Sequence, residues 1–303
     1  MKIIDGQIHE PQIGGRHAPD DLPGGITPEV QTFINVELAR EAIDCLGIDK
    51  ALLFARQEFN EAAVARYPDR FGAVLVFDWA AEDLEEQIAA FRAKPGMLAC
   101  RSILTNYAMV YRDPEVTQLH LRPEVESGGL DRYWALAAKY DLPIFLSAGD
   151  FCEYAGICAE RHPELTVIVD HYGTTQSLAR PIEGDRWRSL PKLLEMARYP
   201  NLYVKFCGVQ HLSREPYPHR DVWPQLHRIL AAYGPERCLW ASDYTRGRWG
   251  TSTPPDEHGF PRREDWMPYS DNLHFFRDTN EISESDKKWL LGDTVRKALR
   301  WQD

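Results

Sequence analysis

Three short fragments, far apart in a chain of 303 residues, each join an apolar run to a polar side chain that could do chemistry. They are Ile3 to His9, Val167 to His171 and Leu239 to Asp243. An aspartate can take a proton from water, a histidine can polarise a carbonyl group, and both can bind a metal ion. Apolar strands that end in such groups are typical of parallel barrels, which carry their catalytic residues on one rim. The fragments therefore predict a barrel enzyme of the hydrolase type.

Asp243, His171 and His9 are the predicted catalytic residues. Asp243 follows a short apolar run, so its carboxylate should stand at the rim as a general base or a metal ligand, or else cap the next turn. His171 could polarise a substrate carbonyl, shuttle a proton or bind a metal, and its structural alternative is a buried histidine bonded to the backbone. Gln7 alternates with His9 and should share its face of the first strand. Its amide forms hydrogen bonds well but is a poor zinc ligand.

Arg101 is the main candidate for binding an anionic substrate, because it lies within an apolar strand pattern. An unpaired buried guanidinium is unfavourable, so its partner must be either a structural carboxylate or the carboxylate of the substrate. Lys205 presents the same problem, and there a structural ion pair is favoured. The other side chains predicted to line the substrate pocket are Gln7, Ser147, Tyr172, His211 and Arg246.

The overall charge limits the partners of this protein. A formal net charge of -11 makes nucleic acid and anionic membranes poor partners for this protein, since both require a concentrated basic surface. An anionic substrate would have to meet a few local arginines. The six cysteines form no Cys-x-x-Cys pair, and no run of residues has the length of a membrane span or a signal segment. We therefore expect a cytoplasmic protein with a small anionic substrate, which could form a homodimer.

Short β-like runs alternate with amphipathic stretches along the whole chain, a pattern that predicts parallel β/α units. The predicted strands are Lys2–His9, Lys50–Ala55, Gly72–Phe77, Met97–Leu104, Pro143–Ala148, Thr166–His171, Leu202–Cys207 and Arg237–Ser242. The predicted helices are Pro28–Leu46, Asn60–Arg66, Glu82–Ala93, Leu130–Lys139, Phe151–Arg161, Pro191–Arg198, Asp221–Tyr233 and terminal helices between Ser270 and Trp301. The long segments 10–27, 105–129, 172–190, 208–220 and 244–269 follow strands. Residues 1–303 are thus expected to form one distorted (β/α)8 barrel domain, with functional loops after the strands.

Five segments, taken in order, resemble a known family. They are Ile4 to His9, Asn60 with Arg66 to Phe71, Val169 to Gly173, Tyr203 to Gly208, and Gly234 to Arg237 leading to Trp240 to Tyr244. Together they resemble the amidohydrolase superfamily, in the branch that contains the 2-pyrone-4,6-dicarboxylate lactonases, the fuconolactonases and the aminocarboxymuconate semialdehyde decarboxylases. The resemblance spans nearly the whole chain. It implies a distorted barrel that hydrolyses or decarboxylates small oxygenated acids, with Asp243 activating water.

The resemblance also bears on metal binding. Metal-bearing members of the family place His-x-His on strand one and another histidine at the end of strand five. This chain has Gln7 and Ser147 at those positions. A tight divalent site usually needs three good protein ligands. We therefore expect no metal cofactor, and the alternative is one divalent ion such as zinc at His9, His171 and Asp243.

The leading functional hypothesis is hydrolysis of a small carboxylated lactone. Asp243 would take a proton from water, His171 and His9 would polarise the carbonyl group, and Arg101 would hold a substrate carboxylate. One alternative is a metal-dependent hydrolase or decarboxylase of a small aromatic or muconate-like acid. The other is a barrel that binds a small molecule without catalysis.

Overall fold

The structure is a computed structural model that describes residues 1–11, 26–105, 121–175, 184–245 and 267–301. In these residues eight parallel strands pair in chain order. The strands are β1 (Ile4–Ile8), β2 (Lys50–Phe54), β3 (Phe71–Val76), β4 (Met97–Ile103), β5 (Ile144–Ser147), β6 (Val167–Val169), β7 (Leu202–Phe206) and β8 (Cys238–Trp240). A parallel bridge between Ile8 and Tyr244 joins the segment after β8 to β1. The sheet thus forms a nearly closed barrel, which confirms the predicted (β/α)8 fold class.

Helices connect the strands and surround them. They are α1 (Pro28–Cys45), α2 (Gln57–Arg66), α3 (Leu84–Arg92), α4 (Arg122–Ser127), α5 (Asp131–Lys139), α6 (Glu153–Arg161), α7 (Leu190–Glu195), α8 (Val209–Leu212), α9 (Trp223–Tyr233), α10 (Tyr269–Arg277), α11 (Glu284–Lys288) and α12 (Thr294–Leu299). Helix α1 begins where its sequence predicts, because Thr27 caps the backbone N–H of Val30 and Pro28 occupies the first turn. No helix in the described ranges is long and apolar enough to cross a membrane.

The barrel interior is apolar at one end and polar at the other. Phe54, Phe145 and Leu239 are buried in an interior cluster, and Trp301 packs against the same cluster after α12. Gly6 lets β1 approach β8 closely, since an added Cβ would lie 2.7 Å from the backbone oxygen of Trp240. Polar side chains at the carboxyl ends of the strands therefore stand over an apolar floor.

The sixth strand is shorter than the sequence predicts. It ends at Val169, and Asp170–Gly173 form a 3₁₀ turn in which His171 and Tyr172 have φ values of 54° and 57°. Two consecutive left-handed residues cannot continue a strand, so the chain turns just where the polar side chains begin. The long predicted loops also contain short helices, α4 within 105–129 and α8 within 208–220.

Candidate active site

Strands β1 and β8 bring Gln7, His9 and Asp243 together at the carboxyl end of the barrel. Gln7 and His9 lie two residues apart and share the inner face. Asp243 follows β8, and its backbone N–H donates to the carbonyl oxygen of Gln7 at 3.0 Å. Asp243 has a φ of 58°, in the left-handed region that is unfavourable for a residue with a Cβ. Such strain is concentrated at functional sites, where the surrounding structure holds a side chain in one orientation.

His9 and Asp243 form a hydrogen-bonded pair. Nε2 of His9 lies 2.8 Å from Oδ1 of Asp243, and the side-chain amide of Gln7 donates to the same oxygen. Nδ1 of His9 lies 2.6 Å from the carbonyl oxygen of Phe54, which can only accept, so Nδ1 carries a proton. The contact between Nε2 and Oδ1 must hold a proton too, because two lone pairs would repel each other at this distance.

Asp243 is ionised near neutral pH. Its side chain is buried, and burial alone would raise the pKa of a carboxyl group. The hydrogen bond from His9, together with the positive charges of His9 and Lys205, outweighs burial and holds the pKa of Asp243 well below its usual range. Asp243 thus has the protonation state that a general base requires.

His171 is a buried, neutral imidazole. Burial, followed by the nearby positive charge of Lys205, lowers the pKa of His171 to about 3. Its Nδ1 has no hydrogen-bond partner in the described part of the chain. A neutral imidazole of this kind can donate one N–H to a substrate oxygen or offer one nitrogen to a metal ion.

Two buried cations share the carboxylate of Asp170. Nζ of Lys205 lies 2.5 Å from Oδ1, while Nε and Nη2 of Arg101 lie 3.0 and 2.6 Å from Oδ2. Although burial opposes it, the charges of Arg101 and Lys205 hold the pKa of Asp170 well below its usual range. The ion pair predicted for Lys205 is confirmed. Arg101 has a structural carboxylate partner as well, so its burial no longer requires a substrate carboxylate.

Ser147 and His211 are both buried at this end of the barrel. Ser147 is the last residue of β5, and His211 lies on α8, just after β7. Burial lowers the pKa of His211 to about 4, against the opposing effect of the Asp243 charge. His211 is therefore neutral at pH 7 and within electrostatic reach of Asp243.

Tyr172 is not brought to this cluster by the described contacts. The ring of Tyr172 packs against Phe206, with 5.1 Å between ring centroids. Phe206 alternates with the inward-facing Lys205 and belongs to the apolar layer between strands and helices. Arg246 lies outside the residues that the structure describes.

Cys207 is a site residue that sequence reasoning missed. Its Sγ, one nitrogen of His171 and one carboxylate oxygen of Asp243 lie within 4.8 Å of one another, and all three residues are buried. The available signal was spacing, because Cys207 follows Lys205 by two positions and shares its face of the strand. Asp170 was also unassigned, although it precedes His171 directly.

The three ligand types of this group suit zinc, but their surroundings do not. Gln7 stands at the first position of the His-x-His pattern, and it turns an N–H donor toward Asp243. The ammonium group of Lys205 is close enough to lower the pKa values of both His171 and Asp243. The positive charge of Lys205 would therefore repel a metal ion bound to His171 and Asp243 in this poorly solvated interior. The described residues therefore match a divalent metal site poorly.

Comparison with protein families gives a match over almost the whole chain. The family model Amidohydro_2, described as amidohydrolase, matches residues 3–301. Among solved structures, a zinc-bound amidohydrolase from Burkholderia multivorans shares the fold, with a TM-score of 0.71 and 17% sequence identity over 100% of both chains.

Two curated relatives match over shorter segments. The 4-sulfomuconolactone hydrolase of Hydrogenophaga intermedia is 32% identical over 88 residues, or 28% of this chain and 27% of that protein. The D-galactarolactone isomerase of Agrobacterium fabrum is 34% identical over 77 residues, or 25% of each chain. The matched segments thus span about a quarter of these relatives.

Proposed function

We propose a function for this chain from the fact that it belongs to the Amidohydro_2 family of amidohydrolases. It opens a small carboxylated lactone or related ester with water that Asp243 activates. The observation that carries the proposal is the buried, ionised carboxylate of Asp243, which lies near the neutral imidazole of His171. Both curated relatives described above have the names of lactone enzymes, which favours a lactone as the substrate.

In the first step, Asp243 accepts a proton from water while the water oxygen attacks the lactone carbonyl carbon. The carbonyl oxygen gains negative charge, and an N–H of His171 donates to it. The ring C–O bond then breaks, and the proton on Asp243 passes to the departing ring oxygen. One water molecule is added, the product is a ring-opened acid, and Asp243 returns to its carboxylate form.

His9 and Gln7 orient the base in this mechanism. Within the described residues, their hydrogen bonds to the Asp243 carboxylate fall on Oδ1. In this mechanism Oδ2 is the oxygen that accepts the proton from water. Both ring nitrogens of His9 contact protein acceptors, so we assign His9 to hold Asp243 and assign carbonyl polarisation to His171.

No metal ion is required by this chemistry. An ester carbonyl is more electrophilic than an amide, so hydrogen bonds can stabilise the developing charge in place of a Lewis acid. Arg101, Lys205 and the doubly protonated His9 carry three positive charges, against the two negative charges of Asp170 and Asp243. This local excess favours an anionic group on the substrate, and we place Ser147 and His211 as further contacts to it.

A panel of lactones tests the proposal directly. Aromatic-derived lactones, sugar lactones and aryl carboxylic acids would be assayed with wild type and Asp243→Asn, and ¹⁸O-labelled water should leave label in the new carboxylate. Asp78→Asn is the matched control, because Asp78 is an exposed aspartate just after β3. We expect Asp243→Asn to lower kcat by about 100- to 10,000-fold while the control keeps its activity. Wild-type turnover by Asp243→Asn would refute the base assignment, and binding without turnover across the panel would favour a non-catalytic barrel.

A metal-dependent hydrolase or decarboxylase is the second candidate. The observation in its favour is the mutual proximity of ligand atoms on His171, Cys207 and Asp243. These three residues would hold the ion, which would supply Lewis-acid polarisation of a substrate oxygen. Elemental analysis separates the two candidates.

A further inference from the structure

Lys205 extends from β7 into the barrel interior and contacts β1. Its side chain has 0% exposure, and its ammonium lies 5.0 Å from the ring centroid of Phe54 and 5.3 Å from that of Phe145. A buried ammonium requires an anionic partner, which Asp170 supplies at 2.5 Å. Lys205 also donates to Oε1 of Gln7 on β1, which lies just beyond β8 around the barrel. Asp170 already neutralises the charge of Lys205, so the contact with Gln7 is not needed for that purpose.

The Lys205 contact fixes which way the Gln7 amide points. An ammonium group has donors only, so the amide must turn its oxygen toward Lys205. The amide nitrogen of Gln7 then faces Oδ1 of Asp243, to which it donates, and lies 3.0 Å from Nε2 of His9. A flipped amide would place N–H groups against an ammonium and its oxygen against a carboxylate. Both contacts would be repulsive.

We propose that Lys205 is a positioning residue that acts through Gln7. By holding the amide oxygen, it keeps an N–H donor on Oδ1 of Asp243 and so leaves Oδ2 directed at the attacking water. The effect on rate rests on the proposed function. The order of hydrogen bonds, from Lys205 to Gln7 and from Gln7 to Asp243, does not rest on it. The hydrogen-bond order and the proposed function can therefore fail separately.

Hydrogen exchange of the Gln7 side-chain amide tests the order without any substrate. The resonance would be assigned in ¹⁵N-labelled protein by its loss in Gln7→Met. We expect exchange with water to be at least about 10-fold faster in Lys205→Met than in wild type, because opening of a hydrogen-bonded group limits exchange. Lys205→Arg, which retains a cationic donor, should restore slow exchange. Unchanged exchange in Lys205→Met would overturn the proposal.

A double-mutant cycle tests the effect on rate. Lys205→Met and Gln7→Met should each lower kcat about 10- to 100-fold and change KM less than about threefold, because misplacement of a catalytic group affects the chemical step. In the Gln7→Met background, Lys205→Met should lower kcat less than about threefold further, since both residues act through one contact. Fully multiplicative effects would overturn the proposal and indicate a purely structural Lys205.

Gln7→Met preserves the ion pair between Lys205 and Asp170, so its kcat decides the matter if Lys205→Met does not fold. A kcat of Gln7→Met within about twofold of wild type overturns the proposal. Slow exchange that depends on Lys205, in a protein inert toward every lactone, would support the order and refute the proposed function.

Discussion

Ser242 donates to both carboxylate oxygens of Asp5. Its backbone N–H lies 2.9 Å from Oδ1 and its hydroxyl oxygen 2.5 Å from Oδ2. The backbone N–H of Gln7 and the hydroxyl of Tyr269 complete the set at 3.0 and 2.8 Å. Asp5 thus fastens the segment after β8 to β1, immediately behind His9 and Asp243. The position of the His9 and Asp243 pair depends on this junction.

Asp5→Asn should change how stability depends on pH. Burial, opposed by these hydrogen bonds, raises the pKa of Asp5 from 3.8 to about 6. Because the folded carboxyl group binds a proton more readily than the unfolded one, its stabilising effect is full below about pH 4. The effect is lost as pH rises to about 6, and a shift of this size corresponds to roughly 3 kcal/mol.

Urea unfolding of Asp5→Asn from pH 4 to pH 7 measures this effect. An asparagine has one acceptor oxygen for these four donors, so the variant should lose about 1–3 kcal/mol near pH 4. That loss should shrink toward pH 7, since the variant lacks the titrating carboxyl. The exposed Asp69→Asn serves as the control for net charge. A constant difference between wild type and variant across this range would contradict the prediction.

Asp170→Asn should destabilise the fold strongly. The change removes the anion shared by Lys205 and Arg101 and leaves two buried cations with a neutral amide. We expect a loss of about 3–5 kcal/mol in the free energy of unfolding. Asp150→Asn breaks an ion pair with Arg188, whose side chain is 44% exposed. This variant should change stability by only about 0–1 kcal/mol. Equal effects of the two variants would show that the Asp170 cluster is better solvated than its burial indicates.

His171→Phe should affect kcat much more than KM. The imidazole is neutral, and we assign its N–H to the oxygen that gains charge only in the transition state. Removing such a donor typically lowers kcat by about 100- to 1,000-fold. Steady-state kinetics on the best lactone of the panel provides the measurement. A large increase in KM with normal kcat would instead assign His171 to substrate binding.

Chelation should leave the activity intact. Protein purified without a metal-affinity step should contain far less than a stoichiometric amount of transition metal, and Cys207→Ser should retain most of the wild-type kcat. Elemental analysis and assays before and after chelator treatment provide the test. Stoichiometric metal, with activity that is lost on stripping and regained with zinc, would establish the metal-dependent candidate in its place.

The sequence predicted the elements of the barrel well because its signals are local. Strands end in polar residues and alternate between two faces, so spacing alone predicted that Gln7 and His9 share one face of β1. The end of β6 was misjudged because the left-handed backbone at His171 and Tyr172 leaves no mark in residue type. Cys207 was overlooked because it ends an apolar run, where a cysteine is typical of a buried core residue.

By itself, the sequence determined the barrel, the rim that carries the site, and the candidate roles of Asp243 and His171. The tertiary structure decided the partners, because they come from strands that are distant in the chain. It gave Arg101 and Lys205 a shared carboxylate in Asp170, paired His9 with Asp243, and turned the Gln7 amide so that it donates. Whether a buried polar group is satisfied by the protein or awaits a ligand depends on such long-range contacts, which residue spacing alone cannot specify.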